Sequence, residues 1–211
     1  MSNNNQQEKE TSRIEAFSDG VFAIAITLLI LELIQIIHPK NDEPLFSLLL
    51  HNWQSLLAFL IGFLTILICW INHHLIFTYI HKSDSNLIWV NGFVLLAVTF
   101  TPFPTAILAE YFMKEQQHAM AFFGFNYFMM SLAAYCITAY TYNKHLIKED
   151  SRELYFIFKQ LWVYCSIYTF IIFFVCFISA PLAIFFYCLM FMAFAFPKEF
   201  AMWLLKRKHK K

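Results

Sequence analysis

Six stretches of this chain stay apolar for about 20 residues or more, the length a helix needs to cross a hydrocarbon core of ~30 Å. Inside a bilayer every backbone donor and acceptor must be paired within the protein, so such segments form helices. They run at about 14–37, 48–79, 87–111, 119–142, 158–179 and 182–204. The second is long enough to tilt or to extend past the membrane. Pro102 and Pro104 should kink the third or end it early. With 60% hydrophobic and 14% charged residues, the chain is too apolar to cover itself as a soluble domain. The expected fold is an all-α integral membrane protein with six transmembrane helices, organised as a polar segment 1–12, a membrane domain 13–205 and a basic tail 206–211.

The basic residues set the orientation. If both termini are cytoplasmic, every Lys and Arg except Lys40 and Lys114 falls on the inner side, a strong positive-inside bias. Trp53, Trp89, Trp162 and Trp203 lie near span ends, where interfacial anchors belong. A net charge of +1 gives no sign of a nucleic-acid partner, because the cations gather in loops and in the tail. Residues 1–12 show no signal-peptide pattern, so the first span is expected to be retained. The five cysteines all sit in apolar runs without C-x-x-C spacing, so they read as buried spectators and not as disulfides or metal ligands.

Polar residues inside the spans are the exceptions that need partners. Asp19 lies a few residues into the first span, His73 near the end of the second and Asn91 near the start of the third. With alternating spans the three share one depth, near the inner side. Arg13 is six residues before Asp19 and so on another face, which argues against an intrahelical pair. Asp19 and Ser18 therefore look to other helices for the indole of Trp70, the imidazole of His73 and the amide of Asn91. Such a cluster would fix the base of the first helix. His74, adjacent to His73, points elsewhere, and the pair does not have metal-chelating spacing.

Ile24, Leu28 and Leu31 recur at i, i+4, i+7 on the first span, with Thr27 beside them and Leu29 on another face. An apolar stripe of this kind in a membrane helix is usually packing and less often the lining of a path, and spacing alone does not separate the two. Spans five and six, rich in Phe all round, suit peripheral lipid-facing helices.

The segment Arg13-Ile14-Glu15-Ala16-Phe17-Ser18-Asp19, followed by an apolar helix, resembles the prokaryotic branch of the lysosomal potassium channel family, the FSD-motif channels. Trp70-Ile71-Asn72-His73-His74, Asn91 and Pro102-Phe103-Pro104-Thr105 extend the similarity over the first half of the chain. The second half matches only in hydrophobic pattern. The resemblance implies a homotetramer in the cell membrane, with the first helix of each chain lining a central pore for potassium ions. It places the narrowest ring at Ile24, with Leu28 and Leu31 as further apolar layers of constriction and gate. It places a selectivity hydroxyl at Thr27. Arg13, Phe17, Ser18, Asp19, Trp70, His73 and Asn91 then form the structural motif and inner hydrogen-bond cluster.

Absences narrow the mechanism. No T-V-G-Y-G segment supplies a filter of stacked carbonyls, and no span carries the repeated cations of a voltage sensor. Selectivity would come from an apolar ring, a hydroxyl and the field at the approach, where Glu32, Asp42 and Glu43 lie. Glu32 reads equally well as a snorkelling interface residue. Passive conduction needs no cofactor, and the membrane lipid is the other expected partner. The alternative is a proton channel or proton-coupled transporter in which Asp19 and His73 titrate. A lipid-modifying enzyme lacks any catalytic set or metal motif in this sequence.

Overall fold

A computed structural model describes residues 2–36 and 44–208. Lys40, Asp42, Glu43 and the last three residues of the basic tail lie outside them. Ten α-helices follow in order: α1 (Ser2–Leu28), α2 (Ile30–Ile36), α3 (Leu45–His51), α4 (Trp53–Tyr79), α5 (Ser85–Phe100), α6 (Pro102–Tyr111), α7 (Gln116–Asn143), α8 (Arg152–Cys176), α9 (Ala180–Ala195) and α10 (Pro197–Lys208). Among the described residues five spans are long and apolar enough to cross a membrane, Glu10–Ile34, Trp53–Tyr79, Ser85–Tyr111, Gln116–Asn143 and Glu149–Cys176, and α9 with α10 makes a sixth if that bent pair is one span.

Each departure from the expected spans has a local cause. The first helix does not begin near residue 14 but at Ser2, because its polar leading residues are helix-compatible although they add nothing to an apolar window. It breaks at Leu29. There the Thr27 hydroxyl donates back to the carbonyls of Ala23 (3.0 Å) and Ile24 (2.9 Å), a pattern that bends helices. The second run is two helices, interrupted at Asn52, whose side chain donates to the Leu48 carbonyl. The third is broken at Thr101 as the prolines demand, since Pro102 has no N–H for the next helical bond. The sixth is bent: α9 and α10 meet at an angle of 80° where Phe196 leads into Pro197. Pro is comfortable in the first turn of α10 and incompatible with the continuation of α9. Trp162 is not an interfacial anchor. Its helix starts at Arg152, earlier than expected, so the indole sits in the third turn, buried and packed on Phe194 at 4.8 Å between ring centroids.

α7 is the central post, packed by α5, α6, α8 and α9. Asp84 ties the base of α5 to it. One carboxylate oxygen caps α5 by accepting from the Leu87 N–H (2.8 Å), and the other accepts from the Tyr140 hydroxyl (2.6 Å). The charged loop after α7 docks on the end of α4, with Ile147 bridged to Ile80 and the Lys148 N–H donating to Tyr79 (3.0 Å).

α1 packs on this body along one side only, chiefly against α4 and α5 with a smaller contact on α6. Of its most apolar window 22% is buried, against 61% for α7. The contact is close because α4 offers Gly62. A Cβ there would stand 2.8 Å from the Thr105 hydroxyl and 3.2 Å from a Leu29 methyl. Gly62→Ala should therefore destabilise the chain by about 1–3 kcal/mol through overpacking. Gly92→Ala, with nothing within 4 Å of the added carbon, should leave the thermal midpoint in detergent unchanged or slightly raised.

Candidate functional site

The buried side of α1 carries Ser18, Phe22 and Ala25 and runs on to Leu29 at the break, none more than 2% exposed. Their spacing of four, three and four residues is one helix face. This face sets Ser18 opposite Asn91 of α5 and His73 of α4. The Ser18 hydroxyl donates to the Ile14 carbonyl at 2.8 Å, a partner that can only accept. Asn91 Nδ2, 2.9 Å from Ser18 Oγ, is therefore the donor in that contact. Asn91 Oδ1 is left to face His73 at 2.8 Å, so the proton of that bond sits on His73 Nε2. The result is a directed chain, His73 to Asn91 to Ser18 to Ile14, joining three helices through buried groups. The imidazole is held in place by Phe77 (4.5 Å) and Phe22 (5.2 Å). Its Nδ1 is buried with no hydrogen-bond partner among the described residues. The arrangement fits a neutral ring.

Asp19 does not join that chain. Its Oδ1 accepts from Trp70 Nε1 at 2.8 Å, one turn along α4 from His73. The Trp70 ring stacks on His74 at 5.8 Å, and His74 Nδ1 lies 3.1 Å from the Glu15 carboxylate. Two parallel ties thus bind α1 to α4. One is polar and fully buried through Ser18, the other half-exposed through Asp19 and Glu15. Glu15 was not singled out in the sequence, although it stands between Arg13 and Asp19. Its signal was the pairing of an acid beside the motif with the second His of His73-His74. Phe17 is exposed, and Arg13 lines a groove between α1 and α5 with Glu10, Asp84 and Trp89.

On the opposite side of α1, and on past the break into α2, the apolar stripe is bare. Ile24 is 61%, Leu31 50% and Leu28 44% exposed. Thr27 is exposed among them, its one hydrogen already shared between the Ala23 and Ile24 carbonyls. Leu29, on the other face, is 0% exposed. Among the described residues no group of three or more His, Cys, Asp or Glu is placed to hold a metal ion.

A helical bundle that clamps its first membrane-crossing helix by internal polar ties, and leaves an apolar face of that helix free, is a multi-span integral membrane protein. Residues 13–102 match the family model described as "Endosomal/lysosomal potassium channel TMEM175". A crystal structure of a lysosomal potassium-selective channel TMEM175 homolog from Chamaesiphon minutus superposes with a TM-score of 0.79 at 35% identity, over 90% of this chain and 98% of that one. This chain belongs to the TMEM175 family, whose members are channels and not enzymes. By sequence it is 52% identical over 117 residues to a potassium channel of the same organism, 54% of this chain and 57% of that protein. Vertebrate relatives include the endosomal/lysosomal proton channel TMEM175 of Danio rerio, 35% identical over 97 residues, 43% of this chain and 19% of that protein. The chain thus aligns with little more than half the length of the curated relative from Chamaesiphon minutus, whereas the fold match extends over nearly all of the crystallised homolog.

The two ties should differ in their response to substitution. Asp19→Asn keeps an acceptor oxygen for Trp70 and should change stability little. Trp70→Phe leaves the carboxylate without its donor. Asn91→Leu strands both His73 Nε2–H and the Ser18 oxygen, and should cost about 1–3 kcal/mol per orphaned group. Thermal midpoints in detergent, with a double-mutant cycle on Ser18 and Asn91, measure this coupling.

Proposed function

We propose that the chain is a subunit of a potassium-permeable cation channel that conducts passively, without a cofactor, in the cell membrane with both termini cytoplasmic. The observation that carries this reading is the bare stripe of α1. A single helix cannot enclose a path, and a bare apolar face in lipid needs no cover of its own; what supports reading this stripe as a lining is that it lies on the polar-tied first helix of a chain in a family of channels. Four copies of the chain, with their first helices converging, would bring Ile24, Leu28 and Leu31 into stacked rings over roughly 10 Å of axis. The narrowest ring is Ile24. Such a ring excludes water at small radius, so one layer both gates and selects by its wetting.

Thr27 fits a supporting part. Its hydrogen is committed to the helix backbone, which leaves oxygen lone pairs as the only thing the hydroxyl can present to a passing ion. A cation is the species those lone pairs favour. The ties through Ser18 and Asp19 then keep each helix rotated so that the stripe faces the axis. A second reading, a proton pathway through Asp19 and His73, is favoured by the proton-channel name of the vertebrate relatives. The directed chain at His73 stops at the Ile14 carbonyl, which supports a positioning role over a relay.

In liposomes with opposed potassium, sodium and proton gradients, Ile24→Asn should raise flux and weaken the preference for potassium. Thr27→Ala should shift selectivity with less change in flux. Ile171→Asn, on the exposed side of α8, should do neither. Mass measurement in detergent should return four chains per particle. Stable monomers would overturn the pore. Proton flux abolished by His73→Gln, with potassium flux intact, would move the function to the second reading.

A further inference from the structure

We propose that the cavity between α4, α6, α7 and α9 is a binding site for one acyl chain of a membrane phospholipid. The cavity holds about 340 Å³, far more than the ~10–15 Å³ that admits a single water. None of its lining residues is charged. The polar ends of its two phenols are directed elsewhere: the Tyr127 hydroxyl bonds Thr65 at 2.9 Å, and the Tyr187 hydroxyl lies against Gly124. Ordered water needs polar partners, and these walls offer next to none.

Position and length decide the occupant. On α4 the lining runs from Gln54 in the first turn to Leu64, ten residues or about 15 Å of helix. That is half the ~30 Å of a hydrocarbon core, the depth of one leaflet. The upper end sits beside Trp53, half-exposed at the start of the span where interfacial anchors lie. The cavity reaches the surface through Leu57, Leu64 and Met192, which are 40%, 39% and 72% exposed. Leu57 and Leu64 belong to the membrane-crossing segment Trp53–Tyr79 and Met192 to the apolar helix α9 beside it, so the medium at the mouth is hydrocarbon. A slot one leaflet deep, uncharged, starting at the interface and open sideways to lipid, takes a single chain lying along the membrane normal.

The test is native mass spectrometry of the full-length protein released from phosphatidylglycerol and phosphatidylcholine nanodiscs, with thermal midpoints before and after delipidation. The wild-type chain should retain one phospholipid per subunit through detergent exchange, and its midpoint should fall when that lipid is stripped. Ala58→Phe on α4 and Ile184→Trp on α9 fill the cavity from opposite walls. Both should lose the retained lipid and become insensitive to delipidation, whereas Ile171→Trp on the exposed side of α8 should behave as wild type. Should one filler fail to fold, the other and the wild-type delipidation shift still decide. Equal retention by the filled variants, or a wild-type midpoint indifferent to delipidation, overturns the proposal. So does rapid disulfide formation between chains at Cys188, which lines the cavity at its exposed edge and would mark it as a contact between copies.

Discussion

In hydrocarbon a polar side chain must find its partners within the protein, and Asn91 finds two on different helices. That requirement organises the whole first half of the chain. An amide has one accepting and one donating end, so it can be shared between His73 and Ser18 in one orientation only. A rotation of α1 or a register shift of α4 would leave at least one buried group unpaired. The apolar contacts of Leu29 with Gly62 add closeness but not direction, since methyl groups pack nearly as well after a small turn of the helix. Polar pairing therefore sets the angle of α1 and packing sets its distance.

Much of this was legible in the sequence, because depth is a one-dimensional property. The spacing of Asp19, His73 and Asn91 from their span ends put them at one level, and the i, i+4, i+7 stripe put Ile24 away from Leu29. Which donor met which acceptor was not legible. It depends on how three helices are rotated about their own axes, and a hydropathy profile averages that angle away. Asp19 and Ser18 are neighbours in sequence yet lie about 100° apart around the helix, and so they serve separate ties.

The misplaced boundaries share one physical origin. An apolar window measures what hydrocarbon tolerates, not where a helix starts or stops. The polar residues before Arg13 continue α1 because helix formation needs only compatible dihedrals. At the other end, Phe196-Pro197 was in plain view, but the window carried span six straight through it. The missing proline N–H stops α9 whatever the hydropathy of its neighbours. Trp162 was misjudged for the first of these reasons, since its distance from the membrane surface was counted from a helix start that lay too late.

The right-angle junction at Pro197 has a mechanical consequence for the bundle as a whole. The 80° turn carries α10 off the line of α9 and lays it on α8, with Ala201 fully buried and Trp203 half-exposed. Its sequence ends in Leu204-Leu205-Lys206-Arg207-Lys208, aliphatic residues followed by cations suited to headgroups. Folded back in this way, α10 acts as a buttress, tying the last described helix to α8 and so closing the α8–α9 hairpin from its open end.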